Sequence, residues 1–263
     1  MRLVTTKLAI TVFISSMLFM FSNNAFALTY KAQKLQSKEG RVSLIELFTS
    51  EGCNSCPPAE HFINDLKTKT NLWEDFVPVA FHVDYWDYLG WKDIYAKSEH
   101  THRQRIYAAE NREPTVYTPG MRAEGREWRN WRRADLQDFD SIKRKDIGVL
   151  ELDILEDGTF KARFELSEQD SLTSLGIRGR PYTVTVALLG MGISTDVKRG
   201  ENAGRTLDHD FMVLESAEYE IHNGIWQGKL PTTKVSAPRY AIAVWVSSNK
   251  SQSPIQAVGG YLN

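Results

Sequence analysis

Leu44-Ile-Glu-Leu-Phe-Thr-Ser-Glu-Gly-Cys53-Asn-Ser-Cys56-Pro-Pro-Ala-Glu60 runs from an apolar stretch through a glycine-containing turn into two cysteines and a pair of prolines. Residues 42–48 suit a buried central strand broken by one carboxylate, Glu46. Phe62, Ile63 and Leu66 then recur at helical spacing, so the cysteines begin or just precede a helix. Prolines are tolerated there, because first-turn amides have no acceptor within the helix. Cys53 and Cys56 are the only cysteines in the chain.

The compartment gives that pair its meaning. Residues 1–27 carry Arg2 and Lys7, then an apolar run over 8–21, then Ala25-Phe26-Ala27. This reads as a secretory signal peptide cut after Ala27, too short for a membrane span; an uncleaved anchor is the alternative. The chain is therefore expected to be secreted or periplasmic, with no membrane span after cleavage, where disulfides persist. A bridge between Cys53 and Cys56 closes a very short loop, which restricts the unfolded chain little. Redox chemistry or metal binding explains the pair better than a structural staple.

With 263 residues, 42% of them hydrophobic, the chain can build one large or two ordinary cores. Its formal charge of −1 offers no basic excess for phosphates, which argues against nucleic acid as a partner. Strands at 42–48 and 76–83, with helices over 59–66, 98–110 and 130–145, suggest a compact α/β unit over residues 28–145. His100, His102, Arg103 and Arg105 are placed mostly on exposed faces of the second helix. From 146 to 263 strand follows strand, with Asp157-Gly158 as a hairpin signal, and a β-sandwich-like domain is expected.

A Cys-x-x-Cys pair lets two sulfurs alternate between dithiol and disulfide with little backbone movement. Cys53 is read as the attacking thiol and Cys56 as the resolving one, aided by the helix N-terminus. Glu46, buried on the strand, could exchange a proton with Cys56; a solvated position at a sheet edge is the alternative. Pro119, which opens a strand after Tyr117-Thr118, could be cis and present the Thr118 backbone to a partner chain. His82, Asp84 and Trp86 fall where a strand ends, a common site position in open sheets. Asn202 and Arg205 lie in a glycine-flanked loop that could complete a pocket or form a surface hairpin. The aromatics of 85–91 are read as packing, and the arginines of 126–133 as a solvated face.

Four motifs carry a resemblance: residues 46–60 as quoted, Phe81-His-Val-Asp-Tyr-Trp-Asp-Tyr-Leu-Gly-Trp-Lys-Asp93, Val116-Tyr-Thr-Pro119, and Gly200-Glu-Asn-Ala-Gly-Arg-Thr-Leu207. Together they resemble an exported thioredoxin-like family catalogued as domain of unknown function 1223. The resemblance implies a thioredoxin-like N-terminal domain, a β-rich C-terminal domain, a redox pair at Cys53 and Cys56, and a cis-proline at Pro119. The expected function is thiol-disulfide oxidoreduction on a protein or small thiol/disulfide substrate, with an unidentified redox partner. No cofactor is called for beyond the disulfide itself, and no metal ligands are assigned. The rival readings are a soft-metal protein holding Cu(I) or Zn(II) on Cys53, Cys56 and His82, and a non-catalytic binding module.

Overall fold

The computed structural model describes residues 29–133, 146–167, 182–221 and 224–263. The leader over 1–27, most of the expected helix over 130–145, and the expected boundary near 145 lie outside them. The chain begins with β1 (Gln33–Gln36), which alternates half-buried and exposed positions, and continues into β2 (Ser43–Thr49), buried along its whole length. After α1 (Pro57–Asp65) comes β3 (Phe76–His82), equally buried. Strands that bury both faces read as near-continuous apolar runs, and these two pair in parallel, Leu44 opposite Val77. Beyond α2 (Ser98–Glu110), β4 (Gly120–Ala123) pairs antiparallel with β2 and β5 (Arg126–Glu127) with β4.

The second half supplies β6 (Gly148–Ile154), β7 (Thr159–Leu166), β8 (Tyr182–Met191), β9 (Ile193–Asp196) and β10 (Thr206–His209). It ends with β11 (Met212–Ile221), β12 (Ile225–Lys229), β13 (Arg239–Ser248) and β14 (Pro254–Tyr261). The Asp157-Gly158 signal joins β6 to β7 as a hairpin, with Gly158 at φ +75°.

The expected α/β fold, a thioredoxin-like N-terminal domain followed by a β-sandwich-like one, is corrected by this topology. The protein is mostly β, 45% strand against 15% helix, with two α-helices among the described residues. The outer edge of β3 takes β11 in parallel, Met212 opposite Ala80, and the Ala80 amide donates to the Phe211 carbonyl at 2.8 Å. One eight-stranded sheet results, in the order β14-β13-β8-β11-β3-β2-β4-β5. Strands on either side of residue 145 thus share hydrogen bonds. Strand–helix alternation records local order only; it does not say which distant strand satisfies the open edge of an apolar one.

A four-stranded sheet, β1-β6-β7-β12, packs on the β14-β13-β8 half. Leu150, Leu152, Phe160 and Trp226 meet Val184, Val186, Ile242 and Val244 in that layer. A second core surrounds β2 and β3 and runs on to Trp245 and Ala257.

The helix α2 departs from expectation in which residues it buries. His100, Thr101, Arg103, Gln104, Tyr107 and Ala108 form its inward stripe, at spacings of three and four. His100 and Arg103 are therefore buried rather than solvent-facing, because the sheet offers them partners. The His100 Nδ1–H donates to the His82 carbonyl at 2.8 Å, and the ring packs edge-on against Phe81.

Burial pulls the pKa of His100 down to about 4; the bond to His82 and the Glu99 charge oppose this, while His82 and Lys97 add to it. Between pH 6.5 and 4 the unfolded chain takes up a proton that the folded chain refuses, so stability falls as pH drops through that window. The expected contribution is a loss of about 3 kcal/mol, complete near pH 4 and absent above pH 7. Urea unfolding of the H100N variant, whose side-chain amide can replace Nδ1–H, should show a flatter pH profile. An unchanged profile would locate the effect elsewhere.

Candidate functional site

The turn after β2 is built from short-range hydrogen bonds. The Gly52 amide donates to Ser50 Oγ and the Cys53 amide to the Ser50 carbonyl, each at 3.1 Å. Glycine at position 52 allows a close approach, since an added Cβ would sit 3.1 Å from Trp86 Cβ. Cys56 is the N-cap of α1, its carbonyl accepting from the amides of Ala59 and Glu60, and the two prolines occupy the first helical positions. Cys53 and Cys56 form a disulfide with Cα atoms 5.5 Å apart. Both residues are fully buried, whereas Asn54 and Ser55 between them are exposed. Bridged in this way, neither sulfur is a thiolate ligand.

The loop over residues 200–205 is packed against this turn. Buried Asn202 donates through Nδ2 to the carbonyls of Glu51 (2.9 Å) and Cys53 (3.0 Å), and Arg205 Nη1 donates to Asn202 Oδ1 at 2.9 Å. The Asn54 amide donates to Glu201 at 3.3 Å. Gly200, at φ +74°, lies against Trp91, where an added Cβ would come within 3.0 Å of Trp91 Cβ. On the other side, Trp86 Nε1–H donates to Thr118 Oγ1 at 2.7 Å, and the Thr118–Pro119 bond is cis. Trp86 thereby links the cysteine turn to the cis-proline segment. Asp84 accepts from the Thr101 hydroxyl at 2.5 Å and so belongs with α2.

Glu46 is not brought to the cysteines. It projects from β2 to the α2 side, where Arg103 Nε and Nη2 donate to Oε1 at 2.9 and 2.8 Å and the Tyr107 hydroxyl donates to Oε2 at 2.7 Å. The opposite, odd-numbered face of β2 meets α1 through the Thr49 hydroxyl, which donates to Glu60 Oε1 at 2.6 Å.

On that α1 face lies a buried acid–histidine cluster that the sequence reading had not assembled. His209, at the end of β10, places Nδ1 3.1 Å from Glu60 Oε2 and Nε2 3.2 Å from Glu51 Oε1. Trp91 Nε1–H donates to Glu51 Oε2 at 2.7 Å. His82 Nδ1 meets Asp93 Oδ2 at 2.7 Å, and that oxygen also accepts the Glu51 amide. Glu51, Glu60, His82, Asp93 and His209 are each at most 4% exposed.

Burial favours neutral His209, but the charges and hydrogen bonds of Glu60 and Glu51 outweigh it and raise its pKa to about 10, so it is an imidazolium. Burial likewise works against the Glu60 carboxylate, and His209, followed by His82 and Thr49, reverses that and holds its pKa below the usual range. Asp93 is lowered despite burial by His82 and by the amides of Glu51 and Tyr95. The position of β10 explains how His209 arrives: Asn64 on α1 donates to the Asp208 carbonyl at 2.7 Å and accepts the Asp210 amide at 2.9 Å. One signal was available in the sequence. Glu60 stands four residues after Cys56, one helical turn along the same face.

Residues 44–247 match the model of a family described as protein of unknown function (DUF1223). A search of the curated proteins finds no match. Among solved structures, protein AGR_C_4864 from Agrobacterium tumefaciens is similar at 25% identity and a TM-score of 0.62, covering 86% of this chain and 95% of that one. HBP35 of Porphyromonas gingivalis is similar in fold alone, at 12% identity and a TM-score of 0.53, over 86% of this chain and 76% of that one.

Proposed function

The chain belongs to the DUF1223 family, and from its own geometry we propose that it performs thiol–disulfide exchange at Cys53–Cys56. The observation that carries the reading is a disulfide closing a four-residue turn at a helix N-cap, held from outside by the side chain of Asn202. Such a turn adds little stability through loop closure, so its retention fits chemistry better than stapling. The helix N-terminus favours a thiolate on Cys56, which makes Cys56 the better leaving group.

A substrate thiolate then attacks Cys53 Sγ; the Sγ–Sγ bond breaks and Cys56 departs as thiolate. A second thiol of the substrate displaces Cys53 from the mixed disulfide, leaving an oxidised substrate and a reduced Cys53/Cys56 pair. The reverse sequence reduces a substrate disulfide. Because both sulfurs are buried, a protein substrate needs the 200–205 loop to lift, whereas a small thiol needs less. The leader read in residues 1–27 would place this exchange outside the cytoplasm, with a separate redox partner resetting the pair.

Equilibration in glutathione mixtures, read by mass after thiol alkylation, should interconvert the two forms reversibly. The midpoint is expected within the range of about −120 to −300 mV in which such pairs are poised. Cys56→Ser should trap glutathione on Cys53, while Cys53→Ser should not trap it on Cys56. A pair that stays oxidised across that range and traps nothing in either variant would show an inert bridge and a non-catalytic module.

A further inference from the structure

The acid–histidine cluster under the cysteine turn has an imbalance that hydrogen bonding does not resolve. Three carboxylates, Glu51, Glu60 and Asp93, face two imidazoles in a region closed to solvent. Buried carboxylates need compensating positive charge. Within the cluster only His209 bridges two of them, leaving Asp93 with His82.

His82 supplies the second observation. Its Nδ1 lies 2.7 Å from Asp93 Oδ2, an acceptor, so Nδ1 is the donor in that bond and Nε2 is the ring nitrogen left for a cation. That Nε2 is buried and has no hydrogen-bond partner among the described residues. The His82 ring stands edge-to-face with His209 at 4.9 Å between centroids. One donor atom from each of Glu60, His82 and His209 lies within 4.8 Å of the other two.

We infer that Glu60, His82 and His209 form a binding site for a divalent transition-metal cation of the zinc type, separate from the cysteine sulfurs. Two imidazoles and a carboxylate form a donor set suited to Zn(II), with a fourth position open to water. The cation enters between Glu60 Oε2 and His209 Nδ1, now 3.1 Å apart, and displaces the proton they share to solvent. Ligand atoms about 2.1 Å from a tetrahedral zinc stand roughly 3.4 Å from one another, so the widest separation in the cluster closes by little more than about 1 Å. The surrounding groups are those of a metal site's outer shell. Asp93 fixes the tautomer of His82, and the Thr49 hydroxyl holds Glu60 Oε1, leaving Oε2 for the cation.

The experiment uses the full mature chain carrying both Cys53→Ser and Cys56→Ser, so that its outcome is independent of the thiol-exchange reading. Zinc titration with elemental analysis should give one equivalent per chain and a higher melting temperature. Cobalt(II) in its place should give visible d–d bands without thiolate-to-metal charge transfer, in this variant and in the wild type alike. H82A should weaken zinc binding by more than about 100-fold. D93N, which keeps the ligand but loses its orienting charge, should weaken it by about 10–100-fold and keeps the test open if H82A does not fold. No stoichiometric zinc in the Cys-free chain, a thiolate band in the wild type, or unchanged affinity in D93N would overturn the assignment.

Discussion

Arg103→Met should destabilise the protein by about 3–5 kcal/mol, the cost of leaving a buried carboxylate without its counter-charge. Glu46 is fully buried on β2, and the Arg103 guanidinium supplies two of its three hydrogen bonds; only the Tyr107 hydroxyl would remain. The same guanidinium lies 5.0–5.4 Å from the ring centres of Phe81, Tyr107 and Trp245 and donates to Gln252, so it ties α2 to three strands and to the turn before β14. At about 2–4 °C per kcal/mol for a chain near this size, the melting temperature should fall by roughly 6–20 °C. Pairing the change with Glu46→Leu removes the stranded charge and should recover most of the loss, because apolar replacement of a buried ion pair is often neutral. Calorimetry on the single and double variants checks both statements. A single variant within 1 kcal/mol of the wild type would mean that Glu46 finds another partner or takes up a proton.

That pair also marks where sequence reading ends. Spacing alone located the cysteines, the helix that they begin or just precede and the β6–β7 hairpin, because each depends on residues a few positions apart. Glu46 was visible as a carboxylate inside an apolar run, but its partner lies 57 residues away on a helix whose charged residues read as solvent-facing. The His209 contact to Glu51 spans 158 residues. No periodicity records such a pairing, since each residue alone is equally compatible with a wet surface. The eight-stranded sheet was missed for the same reason. β3 carries its apolar signal whether a local strand or β11 takes its edge, and only the tertiary pairing decides that the protein is mostly β.

The loop around Asn202 is an intermediate case, visible as two glycines flanking polar residues and given its role only by contact. Asn202→Ala should cost about 2–4 kcal/mol, since two buried carbonyls, those of Glu51 and Cys53, lose their shared donor. Asn202→Asp should cost more than Ala, because an ionised carboxylate would face the same two carbonyl oxygens with nothing to donate. Arg205→Ala should cost under about 1 kcal/mol, its side chain being largely solvated and contributing one bond to Asn202.

The sharper readout is kinetic. If the loop holds the cysteine turn closed, each 1.4 kcal/mol taken from that closure raises the open population tenfold, so N202A should be reduced by small thiols at least about tenfold faster than wild type. Packing alone predicts a different order, with Ala and Asp equally destabilising and reduction unchanged relative to global stability. Measuring reduction by dithiothreitol at denaturant concentrations that equalise the stability of the three proteins separates the two. A wild-type reduction rate in both variants under those conditions would remove the 200–205 loop from the chemistry of the pair and leave it a packing element of the turn.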